Sequence, residues 1–197
     1  MKYEEQKFDL PELTGISSRQ IEVHLALYAG YVKHTNLLRE QIHNLEVLDK
    51  EKYAYAVAEL RRRLGFEFDG MRMHEHYFTQ FEGGSKTLTE GSPLLKALTE
   101  KYGSWDQFTE HFVTVGKMRG IGWTVLYHDP KGNTPHIAWV GDHELGQLSG
   151  LPIILAMDMW EHAYMVDYVP AEKAKYIDAF LNNVNWEVCQ SRFTDAH

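Results

Sequence analysis

The chain has 197 residues, of which 44% are apolar and 24% are charged, proportions typical of a globular protein. Its net charge of −8 argues against a nucleic-acid-binding surface, which normally carries a basic stripe. No window approaches the roughly 18 apolar residues of a membrane span, and the N-terminal residues do not look like a secretory signal. With Cys189 as its single cysteine, expected to be buried and structural, the chain is predicted to be cytoplasmic and to bind neither nucleic acid nor membrane.

The N-terminal half has helical patterning. Ser17, followed three positions later by Gln20, forms a capping-box pattern, and the apolar spacing that follows places His24 on the buried side of a helix. The next helix is predicted to end before Gly65, and the run rich in His and aromatic residues after it suits a buried helix. The predicted helices span residues 17–48, 50–64 and 71–81, and a glycine-rich loop is predicted over residues 81–93.

The C-terminal half mixes helices with strands. Two further helices, the second capped by Ser104, precede three runs rich in β-branched and aromatic residues. These helices and strands are predicted over residues 94–102, 105–117, 122–129, 136–142 and 151–157. From Glu161 to Phe193 the pattern predicts helices interrupted near Pro170 and around residues 182–186.

The predicted fold class is therefore α+β. A helical N-terminal domain, residues 1–85, contains a long helical hairpin. An α/β C-terminal domain, residues 86–197, follows it, with a three-stranded antiparallel sheet and flanking helices.

Four residues have the chemistry of metal ligands. Asp158 and His162 stand four positions apart directly after a predicted strand, so both heads reach one point. His24 and His74 lie on apolar faces of separate helices, where burial is costly without a hydrogen bond or a cation. Each pattern taken alone also fits a hydrogen-bonded core residue.

The order of several motifs carries a family resemblance. The segments are QIEVHLALYAGYV, HEHYF, WDQFTEHF, GIGWTVL, DMWEHAYMVDY and NNVNWEV. Together they resemble the iron/manganese superoxide dismutase family over nearly the whole chain. DMWEHAYMVDY matches the family's D-x-W-E-H-A-Y signature residue for residue, and GIGWTVL resembles its G-x-G-W strand.

The resemblance implies a metal centre and a reaction. Its ligands are His24, His74, Asp158 and His162, with His74 preferred over His76 because of the aromatic pair that follows at three and four residues. One iron or manganese ion per chain would cycle between +3 and +2 and convert superoxide to dioxygen and hydrogen peroxide. The family also implies a homodimer in which Glu161 pairs with His162 of the other subunit.

A tyrosine on the first helix is also implied. Tyr31 is the candidate, but it follows His24 by seven residues where the family has eight. Either a local bulge compensates, or Tyr28 takes part of the role. Basic residues at the channel mouth, Lys33 or His34, are candidates for focusing the anionic substrate.

Further residues are assigned to the surroundings of the metal. His143 is the candidate for the hydrogen bond to metal-bound solvent, with Gln147 as its competitor. Trp123 and Trp160 resemble the family's aromatic wall. The alternatives to a dismutase are a metal-binding relative without turnover, a structural protein, and a metal-dependent hydrolase, which would need a larger pocket and a general base.

Overall fold

The computed structural model describes residues 2–195, so residue 1 and residues 196–197, the outer ends of the two predicted domains, lie outside the described residues. The first helix, α1 (Ser18–Asp49), begins after Ser17, whose hydroxyl accepts a 3.0 Å hydrogen bond from the backbone N–H of Gln20. Only this half of the predicted capping box forms. The side chain of Gln20 turns elsewhere, and the N–H of Ser17 donates to Asp167 at 2.6 Å instead.

The second helix, α2 (Ala54–Thr79), packs antiparallel beside α1 as a long hairpin. It passes without a break through Gly65 and Gly70, so the predicted end at Gly65 and the separate helix over 71–81 are wrong. A glycine inside a helix costs about 1 kcal/mol, which packing along the whole length of α1 outweighs. The predicted helix start at residue 50 is also too early, since α2 begins at Ala54.

The second half follows the predicted order closely. After the non-helical segment 80–92 come helices α3 and α4, strands β1, β2 and β3, and helices α5 and α6. Their bounds are Pro93–Tyr102, Trp105–Gly116, Gly122–Asp129, Thr134–Gly141, Ile153–Asp158, Lys173–Asn183 and Trp186–Thr194.

The antiparallel sheet has the order β2-β1-β3, with β1 in the centre and buried over its first seven residues. Its register places Trp123 opposite Asp158 of β3. This pairing sets an aromatic wall residue beside the last residue of β3. The fold class predicted from the sequence, a helical hairpin followed by an α/β part with a three-stranded antiparallel sheet, is confirmed.

The segment after β3 differs from the helix predicted from Glu161 onward. It forms only short 3-10 turns, Glu161–Ala163 and Pro170–Glu172, before α5 begins. The reason lies in a side chain of α1 that takes over backbone groups of this segment, as described below. Within residues 2–195, none of the helices combines the length and the apolar character needed to cross a membrane.

Candidate metal centre

The fold brings the four predicted ligands together. His24 comes from the second turn of α1, His74 from the last turns of α2, Asp158 ends β3, and His162 lies in the 3-10 turn that follows. One donor atom from each residue lies within 4.8 Å of the donors of the other three. The first three side chains are fully buried, and that of His162 is 17% exposed. Access to the group is therefore from the side of His162.

His74 provides the strongest test of whether a cation fits. Its Nδ1 lies 2.6 Å from the carbonyl oxygen of Gly70, and a carbonyl only accepts, so Nδ1 carries the proton. Burial first of all lowers the pKa of His74 well below its usual value, so the ring is neutral and Nε2 presents a lone pair. This buried atom has no hydrogen-bond partner and lies 3.6 Å from Oδ2 of Asp158.

Two electron-pair donors thus face each other in a buried site. Such an arrangement is costly without a positive charge between the two atoms. The same Oδ2 of Asp158 also lies 3.0 Å from Nε2 of His24 and 3.0 Å from Nε2 of His162. Three imidazoles and one carboxylate converging on a single point fit a divalent or trivalent transition-metal ion.

The backbone and neighbours hold Asp158 in place. Its second oxygen, Oδ1, accepts a 2.8 Å hydrogen bond from the backbone N–H of Trp160, and its carbonyl accepts one of 2.8 Å from the hydroxyl of Tyr176. Burial alone would raise the pKa of Asp158, but His162 and His24 beside it lower that pKa below the usual value. The carboxylate is therefore ionised and oriented, as a metal ligand must be.

Comparisons with known proteins identify the family of the chain. A family model described as iron/manganese superoxide dismutases, C-terminal domain, matches residues 90–192. "Superoxide dismutase [Fe]" of Saccharolobus solfataricus is 30% identical over 201 residues, covering 95% of this chain and 93% of the relative. The chain belongs to the iron/manganese superoxide dismutase family.

Other members of the iron/manganese superoxide dismutase family match over similar lengths. "Superoxide dismutase [Fe]" of Aquifex pyrophilus is 34% identical over 191 residues, 93% of this chain and 87% of the relative. "Superoxide dismutase [Mn]" of Mycolicibacterium smegmatis is 31% identical over 176 residues, 88% of this chain and 82% of the relative. The family predicted from the motifs is confirmed, and relatives named for either metal cover most of the chain.

Tyr31 and His143 form a hydrogen-bonded pair beside the donor group. Nε2 of His143 lies 2.7 Å from the Tyr31 hydroxyl, and its Nδ1 accepts a 2.9 Å hydrogen bond from the indole N–H of Trp123. The ring of Tyr31 lies 5.0 Å from that of His74, centroid to centroid. Burial raises the pKa of Tyr31 above its usual value and lowers that of His143 to about 4.

The two competing residues point elsewhere. The hydroxyl of Tyr28 accepts from the backbone N–H of Gln6 at 2.9 Å and donates to Glu75 at 3.2 Å. The amide of Gln147 donates to the backbone carbonyl of His143 at 3.0 Å and accepts from the hydroxyl of Tyr127. Neither side chain makes the contact that joins Tyr31 to His143.

The predicted bulge in α1 does not form, because the described helix is α-helical from Ser18 to Asp49. Space on α2 compensates for the seven-residue spacing instead. A Cβ added to Gly70 would lie 2.6 Å from Cδ1 of Tyr31, so the ring of Tyr31 occupies the room that this glycine leaves. Sequence analysis did not single out Gly70.

Aromatic rings enclose the donor group on several sides. The ring of Trp160 stacks 5.5 Å from that of His162 and 4.8 Å from that of His143. Trp123 meets the ring of His74 edge to face at 5.2 Å. The ring of Phe66, which sequence analysis did not single out, lies 4.7 Å from that of His143, centroid to centroid. Aromatic side chains therefore pack directly against the rings of His74, His143 and His162.

The remaining predicted residues lie farther from the centre. Lys33 and His34 are exposed on α1, as is Glu161 in the turn after β3. His76 is not one of the four clustered donors. The predicted burial of Cys189 is confirmed, and burial raises the pKa of its thiol to about 12. This thiol is therefore not a nucleophile at neutral pH.

Proposed function

We propose that this protein is a superoxide dismutase that uses one iron or manganese ion held by His24, His74, Asp158 and His162. The observation that carries the proposal is the set of four donor atoms within 4.8 Å of one another, three of them fully buried, in a chain of this family. Bound iron or manganese supplies one-electron chemistry by alternating between the +3 and +2 states. Two superoxide anions and two protons then give one dioxygen and one hydrogen peroxide.

The residues of the chain govern proton supply. Trp123 can only donate, so Nδ1 of His143 must accept, and the neutral ring carries its hydrogen on Nε2. That hydrogen is donated to the oxygen of Tyr31, 2.7 Å away. The O–H of Tyr31 remains free to donate toward a small anion beside His74. Tyr31 and His143 therefore orient one transferable proton at the phenol oxygen.

The aromatic enclosure supports a dismutase over a metal-dependent hydrolase. A hydrolase needs a pocket for a larger substrate and a general base near the attacking water. Here Trp160 and Trp123 pack directly against the ligand rings, and Nε2 of His24 faces Oδ2 of Asp158 at 3.0 Å within the donor group. A two-atom anion such as superoxide needs far less room than the substrate of such a hydrolase.

The decisive test combines metal content with activity. We expect about one iron or manganese ion per chain by mass spectrometry, with superoxide dismutation in the same sample after reconstitution with each metal. His74→Gln should lose the metal, because it removes the Nε2 lone pair, while the matched change His76→Gln should keep it. Retention of metal by His74→Gln, or zinc with esterase activity in the native protein, would refute the proposal.

The same proposal includes a homodimer in which Glu161 pairs with His162 of the other subunit. Glu161 is exposed beside the least buried of the four ligands. Large apolar side chains that flank it are also exposed, namely Met165 by 49%, Val166 by 47% and Val169 by 57%. Such a patch is typical of a protein-protein interface.

Light scattering tests the dimer directly. We expect twice the chain mass for the wild type and a shift toward the monomer in Glu161→Ala. Glu110→Ala, which removes an exposed glutamate from α4, is the control and should stay dimeric. A monomeric wild type at micromolar concentration would contradict the assembly.

The division into domains 1–85 and 86–197 also stays a proposal. It is supported by the origin of the donors, since His24 and His74 come from the helical hairpin while Asp158 and His162 come from the α/β part. The ion would then join the two parts.

Steering of superoxide by Lys33 or His34, a cytoplasmic location and an antioxidant role remain predictions. The salt dependence of the rate tests the steering, and fractionation of the native cells tests the location.

A further inference from the structure

Gln20 makes an unusual double contact with the turn that carries His162. Its side chain is buried, with 1% of the residue exposed. Nε2 donates to the carbonyl oxygen of His162 at 2.6 Å, and Oε1 accepts from the backbone N–H of Val166 at 3.0 Å. Both polar atoms of the amide are therefore satisfied by two backbone groups of a segment 142 residues away or more.

These two backbone groups are natural partners of each other. In an α-helix the N–H of residue 166 would bond to the carbonyl of residue 162, four positions earlier. The neighbouring bonds of this kind do form, from Met165 to Glu161 at 2.9 Å and from Tyr168 to Tyr164 at 2.8 Å. The side-chain amide of Gln20 lies between the N–H of Val166 and the carbonyl of His162 and bonds to both. These two backbone groups therefore do not bond to each other, and the turn does not close into a helix. The predicted helix at Glu161 fails for this reason.

The insertion also ties two ligands together. Gln20 precedes His24 by one turn of α1, so the residue that grips the backbone of His162 belongs to the same rigid helix as the first ligand. The hydroxyl of Ser17 caps the N–H of Gln20 and fixes the start of that helix. The buried amide of Gln20 therefore links the backbone of His162 to the helix that carries His24.

We propose that Gln20 is a positioning residue that holds His162 at the metal and slows the loss of the ion. The inference rests on the proposed function, because it takes His24 and His162 as ligands. Hydrogen bonds to the groups that support metal ligands typically change metal affinity about ten- to a hundredfold when they are removed. The amide of Gln20 bonds to the backbone carbonyl of the ligand His162 rather than to its side chain.

The chain offers a matched control in Asn183. Its buried amide also bridges one backbone unit, accepting from the N–H of Thr14 at 2.9 Å and donating to the carbonyl of Thr14 at 2.8 Å. Thr14 belongs to the N-terminal segment and is not one of the clustered donors. Gln20→Met and Asn183→Leu each remove a buried amide with little change in volume. Both should lower the thermal stability, but only the first should affect the metal.

The experiment measures the rate at which a chelator strips iron or manganese from the reconstituted proteins, together with the electron paramagnetic resonance spectrum of the bound ion. We expect Gln20→Met to lose metal about tenfold faster or more, with an altered spectrum, and Asn183→Leu to match the wild type in both. Gln20→Glu keeps an acceptor for Val166 but sets an oxygen against the carbonyl of His162. It should fold and also release metal faster.

The outcomes separate the two proposals. Wild-type protein that takes up neither metal would overturn the proposed function, and this inference with it. Wild-type protein that holds the metal, with Gln20→Met and Gln20→Glu releasing it no faster than Asn183→Leu, would overturn the role of Gln20 alone.

Discussion

The fit between Gly70 and Tyr31 can be broken by one methyl group. A Cβ at residue 70 would lie 2.6 Å from Cδ1 and 2.8 Å from Cε1 of Tyr31, well inside the contact distance of carbon atoms. In Gly70→Ala the ring of Tyr31 must therefore move away by about 1 Å. Its hydroxyl then leaves Nε2 of His143, now 2.7 Å away. The change alters no ligand side chain, but because the carbonyl of Gly70 also accepts from Nδ1 of His74, metal content must be measured together with the rate.

The size of the effect follows from three terms. Overpacking a dense core costs about 1–3 kcal/mol. The lost hydrogen bond between Tyr31 and His143 costs about 1 kcal/mol. The better helix propensity of alanine returns about 1 kcal/mol. Gly70→Ala should therefore lower the free energy of unfolding by about 1–3 kcal/mol, although the same change in an open helical position would raise it.

Gly30 on α1 is that open position, since an added Cβ would meet nothing within 4 Å. Gly30→Ala should raise the melting temperature by about 2–4 °C, whereas Gly70→Ala should lower it by at least about 2 °C. The rate of dismutation per bound metal should fall in Gly70→Ala by about tenfold or more, because an oriented proton donor contributes at least that much. A stabilised Gly70→Ala protein with the wild-type rate would refute the placement of Tyr31.

Three further predictions address other parts of the site. Trp123→Phe removes the indole N–H that donates to Nδ1 of His143, so nitrogen NMR should show both tautomers of that ring and the protein should lose about 1–3 kcal/mol of stability. A single tautomer, as in the wild type, would contradict the hydrogen-bond chain from Trp123 through His143 to Tyr31. Burial, and then the charge of Glu144, raise the pKa of Asp69 to about 6. Because this carboxyl is more basic in the folded state, it favours folding below about pH 4 and opposes it as the pH rises through about 6. Asp69→Asn should therefore be more stable than the wild type at pH 8 but not at pH 4 in denaturant titrations; an equal difference at both pH values would exclude this origin. Removing the metal by chelation should lower the melting temperature by several degrees, since the four donors bind the ion only in the folded chain, and an unchanged transition would argue against the site.

Local pattern in the sequence was sufficient for most elements, whereas the set of four donors rested on the family resemblance. Strands rich in β-branched residues, serine caps and the spacing of Asp158 and His162 are properties of short segments, and each is found where the pattern predicted it. The end of the helix at Gly65 was predicted wrongly for a physical reason. Intrinsic propensity is a weak effect, and the contact between α1 and α2 along their length decides the outcome.

Contacts between distant segments could not be predicted from the sequence. The sequence predicts that Gln20 forms half of a capping box, because a serine followed by a glutamine three positions later is a local signal. Its actual partners follow it by 142 and 146 positions. The room for Tyr31 is likewise set by Gly70, on another helix. Both features depend on the tertiary arrangement, and no periodicity in the chain encodes them.

One face of α1 unites these features. At about 100° per residue, Gln20 lies about 40° to one side of His24, and Tyr31, seven positions on, lies about 20° to the same side. An uninterrupted helix thus places Gln20, His24 and Tyr31, the proposed positioning residue, ligand and proton donor, in line. Along the helix axis Gln20 lies about 6 Å before His24, and Tyr31 lies about 10 Å after it. If the tyrosine followed the ligand by eight positions, its side chain would be rotated by a further 100° about the helix axis, away from Gly70 and His143. The shorter spacing and the glycine opposite it therefore belong together, because each is needed for the 2.7 Å contact between Tyr31 and His143.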